Sequence, residues 1–188
     1  YENTILFYTS DHGSHFRTRN AEYKRSCHDA SLHIPLIVKG GCFDGGRRVS
    51  SLVSLIDYAP TLLTCGGVTP PAGMPGIPLQ RILASPEAAR REVFVQISES
   101  CVGRALRTED WTYAVEGENP ESEAAASVYR EAYLYDLKAD PAQHCNLVRE
   151  PALGPVRDAL RARLLASIRE AEGEEPAILP AEEKAGVP

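Results

Sequence analysis

The sequence predicts a mixed α/β fold in two parts, on three observations. Near its start, two short apolar and β-branched runs, residues 4–9 and 34–38, read as buried strands of the kind found in parallel sheets. Beyond a proline-rich stretch at 68–78, the pattern changes to short strands separated by turns, the mark of a small antiparallel sheet. A last run, 155–171, carries Val156, Leu160, Leu164 and Ile168 at intervals of four, which lays one apolar stripe along a helix.

The elements follow in order. The first strand ends in Ser10-Asp11-His12-Gly13, and a polar loop follows to about Asn20. In the second strand Pro35 has no N–H to donate, so it belongs at the first position or on an edge. Gly40-Gly41 and Gly45-Gly46 bracket a loop. Asp57 is placed to cap a helix running through Leu63, with Pro60 tolerated in its first turn and Gly66-Gly67 closing it. The later strands are expected at 93–97, 104–108, 111–115 and 133–137, the middle two joined by Glu109-Asp110 as a hairpin. Residues 116–127, acidic and alanine-rich, read as an exposed excursion. The expected division is 1–80 for the end of an α/β sheet domain, 81–172 for the antiparallel sheet with its helix, and 173–188 for a flexible tail.

Composition narrows the function. A chain of 188 residues can bury about 70% of its extended surface, so a true core is within reach. A net charge of −6 argues against nucleic acid as a partner, since such domains are usually basic. No apolar run reaches the roughly 18 residues needed to span a bilayer. Five scattered cysteines, an odd number with no C-x-x-C pair, point to a disulfide-poor, reducing setting and away from a Cys/His zinc site, which leans the localisation towards the cytoplasm. The sequence opens on Tyr rather than Met, directly before an apolar run, so it is expected to be the back part of something longer. Oligomeric state is not legible.

The most informative residues are Asp11 and His12, at the carboxyl end of a buried strand, where ligands of open α/β sheets bind. A carboxylate and an imidazole side by side can both reach one divalent cation if the backbone turns sharply, which Gly13 permits. The alternative is that Asp11 caps a turn and His12 is simply exposed. Lys24, on the connection leaving that point, offers a positive charge to an anionic oxygen. His28 and His33 share the segment and read as structural, and His15 has still less support as a site residue.

Thr9-Ser10-Asp11-His12-Gly13, Lys24 and Pro35-Leu36-Ile37-Val38 together resemble the second half of the type I sulfatases, in the alkaline-phosphatase-like superfamily. Residues 54–63, 106–113 and 133–137, with Asp140-Pro141 and Asn146-Leu147-Val148, resemble that family's later helix, hairpin and Leu-Tyr-Asp-Leu signature, in the same order. The resemblance implies that Asp11 and His12 ligate one divalent metal, usually Ca²⁺ with Mg²⁺ or Mn²⁺ in relatives, and that Lys24 contacts the sulfate of a small-molecule ester. His12 stands where many sulfatases have Asn and related phosphoester and phosphonate hydrolases have His, and imidazole suits softer ions than Ca²⁺. The family's formylglycine motif, C-x-P-x-R or S-x-P-x-R, is absent; Cys101-Val102-Gly103-Arg104 lacks the proline and the spacing. That motif and the family's first-strand aspartates are expected upstream, so this chain alone is expected to be inactive. The readings in view are therefore a sulfate-monoester hydrolase, a phosphodiesterase or phosphonate monoester hydrolase of the same superfamily, and a non-enzymatic remnant of the fold.

Overall fold

The structure, a computed structural model, describes residues 2–118 and 124–182. Its contacts divide the chain into two compact units, and the division is not a single cut. Residues 2–11 and 34–93 form the first unit; residues 12–33 join the C-terminal half, from 94 onward, as the second.

In the first unit, strands β1 (Leu6–Thr9) and β2 (Leu36–Lys39) pair antiparallel, with Phe7 opposite Val38 and Tyr8 opposite Ile37. The expectation of doubly buried parallel strands is corrected here. Phe7, Leu36 and Val38 turn into a small core around Phe43, Leu79 and Ile82, while Leu6, Tyr8 and Ile37 on the other face stay 51–63% exposed. A continuous apolar run cannot show which way its partner runs, and the alternation of burial emerges only once the pair is formed. Pro35 sits just before β2, where its missing N–H costs no ladder bond.

The helix predicted after Ser54 is α2 (Tyr58–Cys65). It closes as expected: Gly66 N–H donates to Leu62 O, and Gly67 takes a left-handed φ of 73°. Asp57 plays a different part from a side-chain cap. Fully buried, its carboxylate accepts from the Ser54 and Ile77 backbone N–H groups at 2.8 and 2.7 Å and pairs with Arg90, fastening the turn before α2 to the proline-rich stretch after it. That stretch leads into a short helix, α3 (Leu79–Ala84), which has no counterpart among the expected elements.

In the second unit a five-stranded sheet runs in the order β3 (Glu92–Ile97), β4 (Gly103–Thr108), β5 (Trp111–Gly117), β6 (Val128–Asp136), β7 (Ala177–Leu179). The β4–β5 hairpin turns at Glu109-Asp110, as its sequence predicts. Strand β6 begins five residues earlier than expected. Its first half alternates buried Tyr129 and Glu131, and the acidic residue masked the apolar pattern. Glu131 is tolerated at 4% exposure because Tyr113 Oη donates to it at 3.0 Å and Arg157 lies at 3.5 Å. Residues 119–123 of the expected excursion lie outside the described residues.

Helix α4 (Gly154–Glu172) packs the predicted stripe inward, with Leu160, Leu164 and Ile168 all at 2% exposure or less, each contributing about 2 kcal/mol by burial. Part of the expected tail is ordered: β7 returns from α4 to pair parallel with β6, Ile178 opposite Tyr129. Pro176 and Pro180 flank it, compatible with an edge strand and the reason it read as unstructured. Residues 183–188 of that tail lie outside the described residues. No helix among the described residues is long and apolar enough to cross a membrane.

Candidate functional site

Strand β1 ends at Thr9, whose Oγ1 lies 2.8 Å from the Tyr58 hydroxyl, and the chain then delivers the exposed Asp11. At His12 the ring Nδ1 lies 2.7 Å from the Gly13 carbonyl oxygen. A carbonyl only accepts, so Nδ1 is the donor in this contact, which orients the ring. Asp11 and His12, neighbours in the chain, are a carboxylate and an imidazole, donor types that a divalent cation accepts. Among the described residues no three His, Cys, Asp or Glu side chains converge to complete a metal site.

Gly13 is needed for a reason the sequence did not reveal. Its φ is ordinary, but a Cβ there would meet the Ala30 carbonyl oxygen at 2.2 Å. The glycine lets the chain pass against α1 (Asp29–Leu32), with Gly13 N–H donating to Ser31 O at 2.8 Å.

Tyr23 brings His12 and Lys24 together. The His12 ring meets its edge at a centroid distance of 5.9 Å, and Lys24 Nζ lies 5.6 Å from the same ring centre. Lys24 is half-buried, and no described carboxylate lies within ion-pair distance of it. Neighbouring Arg25, by contrast, is held by Glu22 and Glu99.

The whole segment from His12 to His33 is clamped to the C-terminal sheet. Arg19 donates to the carbonyl oxygens of Gln143 and Ala142 at 2.6 and 2.7 Å. The Gln143 side chain, 1% exposed, accepts from Asp29 N–H at 2.6 Å and donates to Thr112 Oγ1 at 3.0 Å. Arg107 grips both Asp29 carboxylate oxygens at 3.2 and 2.8 Å. Cys27 is buried against Ala105 and Ala114. These anchors were invisible to sequence reasoning, because Gln143 and Asp29 lie 114 residues apart and neither belongs to a motif.

The other histidines fall outside this cluster. His28 is buried between the Tyr133 and Tyr135 rings, its Nε2 3.0 Å from the Tyr135 hydroxyl. Burial first, then the positive charge of Arg19, pulls its pKa down to about 4, so it is a neutral structural group. His15 is 2% exposed, with no described partner for either ring nitrogen, and His33 ends α1 on the surface. Burial, helped by Glu116, pushes the Cys101 thiol up to about 11, which favours the protonated form at neutral pH. Arg104 of the same stretch is buried against Glu172 at 2.6 Å.

Comparison with known proteins agrees with this architecture. The family model described as "N-sulphoglucosamine sulphohydrolase, C-terminal" matches residues 21–170. Arylsulfatase K of Mus musculus is 32% identical over 160 residues, covering 79% of this chain and 28% of that protein. A putative sulfatase from Bacteroides thetaiotaomicron superposes with a TM-score of 0.74 at 24% identity, covering 90% of this chain and 37% of the other. The phosphonate monoester hydrolase of Agrobacterium radiobacter gives 0.69, also at 24% identity, over 90% of this chain and 35% of its own. At that identity the two structures speak for the fold. The chain spans under a third of the length of the arylsulfatases it matches. It belongs to the type I sulfatases, of the alkaline-phosphatase-like fold, and corresponds to their C-terminal portion.

Proposed function

We propose that the complete enzyme carrying this portion hydrolyses sulfate monoesters of small molecules with one divalent metal ion. The observation that carries the reading is the His12–Tyr23–Lys24 cluster, which follows β1 in the chain, where an imidazole and a cation without a described carboxylate partner meet on one ring. Asp11 and His12 are metal ligands, with Ca²⁺ the family's usual ion and Mn²⁺ or Mg²⁺ the alternatives. The bound ion would supply charge to the sulfate oxygens. Lys24 contacts the transferring sulfate and stabilises its oxygens as the ester bond breaks. Residues 1–80 close the catalytic α/β domain and 81–172 form the C-terminal subdomain. The formylglycine nucleophile belongs to the upstream part, so the chain by itself is inactive.

His12 favours one second reading, a phosphonate or phosphodiester hydrolase of the same superfamily. Steady-state kcat/KM of the complete enzyme on matched aryl sulfate and aryl phosphonate esters separates the two. A sulfate preference of at least a hundredfold is expected, and a reversed ratio refutes the sulfatase reading. Elemental analysis of the purified enzyme reads the metal, and stoichiometric metal lost on His12→Ala is expected. A wild-type enzyme that retains activity with no bound divalent ion refutes the metal assignment.

A further inference from the structure

Lys24 lies in a stretch whose main chain is fastened on both sides while its own side chain is not. Tyr23 O accepts from His15 N–H at 2.8 Å and from Ser14 Oγ at 3.2 Å. On the other side, Arg25 O accepts from Asn20 Nδ2 at 2.7 Å, and the Arg25 guanidinium pairs with Glu22 and Glu99. Lysine carries a compact charge on a flexible four-carbon stem. Among the described residues the Lys24 ammonium makes no ion pair or hydrogen bond. What lies against it is the Tyr23 ring, with Nζ 5.6 Å from the centroid.

The same ring meets His12. The two rings stand 5.9 Å apart between centroids at an interplanar angle of 62°, and the imidazole is turned by its Nδ1 contact with Gly13 O at 2.7 Å. Burial, or a partner for the polar tip, ordinarily accounts for a tyrosine. Neither accounts for Tyr23, which is 45% exposed and whose hydroxyl makes no hydrogen bond among the described residues. Its two ring contacts remain, one with the proposed metal ligand and one with the proposed sulfate contact.

We infer that Tyr23 is a positioning residue: its ring holds the Lys24 ammonium and the His12 imidazole at a fixed spacing, so that a charge for the sulfate and a ligand for the metal are presented together. The inference rests on the sulfatase reading with His12 on the metal and Lys24 on the sulfate. In this role Tyr23 touches neither the ion nor the substrate. The negative face of the ring attracts the ammonium, which without it would swing into solvent and have to be ordered again at each turnover. A charge held in place beforehand stabilises the transition state without reorganisation. The attraction belongs to the ring and not to the hydroxyl, so phenylalanine can stand in for tyrosine here and an aliphatic side chain cannot.

The test uses the complete enzyme, an aryl sulfate and saturating metal. Tyr23→Leu is expected to lower kcat/KM about 3- to 30-fold, the rate equivalent of a cation–π contact, and Tyr23→Phe to recover most of that loss. In a Lys24→Ala background the same Tyr23→Leu change is expected to cost less than about twofold, because a residue that acts through Lys24 has nothing left to position. Equal losses in both backgrounds, or a Tyr23→Phe variant as slow as Tyr23→Leu, overturn the inference in favour of a merely structural ring. Phenylalanines of increasing fluorination at position 23 keep the ring's shape and weaken its negative face, so kcat/KM unchanged across that series overturns it even if Tyr23→Leu does not fold. Calorimetric titration of the stripped enzyme with the ion that elemental analysis identifies is expected to show metal binding weakened at least about threefold by Tyr23→Leu, and an unchanged affinity overturns the His12 half of the role. A wild-type enzyme that releases no sulfate, or a Lys24→Ala loss below about tenfold, refutes the reading of the site itself. That result is distinct from an active, Lys24-dependent enzyme indifferent to Tyr23→Leu.

Discussion

Gln143 is the pin that holds the segment bearing His12 and Lys24 to the C-terminal sheet, and replacing it with leucine isolates that role. Leucine keeps most of the side-chain volume and removes both polar atoms. The Asp29 N–H then loses an acceptor at 2.6 Å, and Thr112 Oγ1, in a residue with no exposed surface, loses a donor at 3.0 Å. A buried polar group stripped of its partner costs about 1–3 kcal/mol, so the two losses together weaken docking by about 2–4 kcal/mol, the half-buried Asp29 N–H standing at the low end. Cys27 supplies a native probe, because it is buried against Ala105 and Ala114 only while the segment is docked. When reclosing outpaces labelling, its alkylation rate follows the population of the opened state. At about 1.4 kcal/mol per factor of ten, Gln143→Leu should speed Cys27 alkylation roughly 30- to 800-fold. Exposed Cys42, in the other unit, should keep its wild-type rate. A change at Cys27 of less than threefold would refute the clamp.

Other expectations follow from the same groups. In the complete enzyme Lys24→Ala should lower kcat/KM by about a hundredfold or more, equivalent to about 2.7 kcal/mol of transition-state stabilisation, and a loss below tenfold removes Lys24 from the sulfate. His28 has a folded pKa of about 4 against 6.5 unfolded, so between those values the unfolded chain binds a proton that the folded one does not. Stability should therefore fall as pH drops from 6.5 towards 4, by up to about 3 kcal/mol from this residue, and urea titrations of His28→Phe should show a shallower pH slope than wild type. Identical slopes would show that His28 does not titrate this way. Gly13→Ala should destabilise the docked segment by several kcal/mol, since the added methyl overlaps a backbone oxygen rather than a flexible side chain, and an unchanged melting temperature would contradict the close approach.

The apolar stripe of α4, the β4–β5 hairpin and the glycine stop of α2 were all legible, because each depends on residues within a few turns of one another. Strand β7 and the first half of β6 were not. A three-residue strand between prolines has too little local signal, and buried Glu131 breaks the apolar alternation that marks a strand, though Tyr113 and Arg157 neutralise its cost. Asp57 shows the same limit at one residue. Its type suited a helix cap, but its buried carboxylate went to the backbone of Ile77 and to Arg90, 20 and 33 positions away.

For the candidate site, the sequence alone determined the chemistry on offer: an acid and an imidazole at a strand end, a lysine one loop later, and no nucleophile motif. Residue type and order suffice for that, because donors, charges and strand ends are local properties. Only the tertiary structure decided that His12 and Lys24 meet on Tyr23, that His28 is sealed between two tyrosines, and that Gln143, Asp29 and Arg107 fasten the segment to a sheet formed later in the chain. Those contacts join residues separated by up to 124 positions, and no periodicity or spacing rule reaches across such a distance. They are set by which surfaces remain to be buried once the local elements have formed.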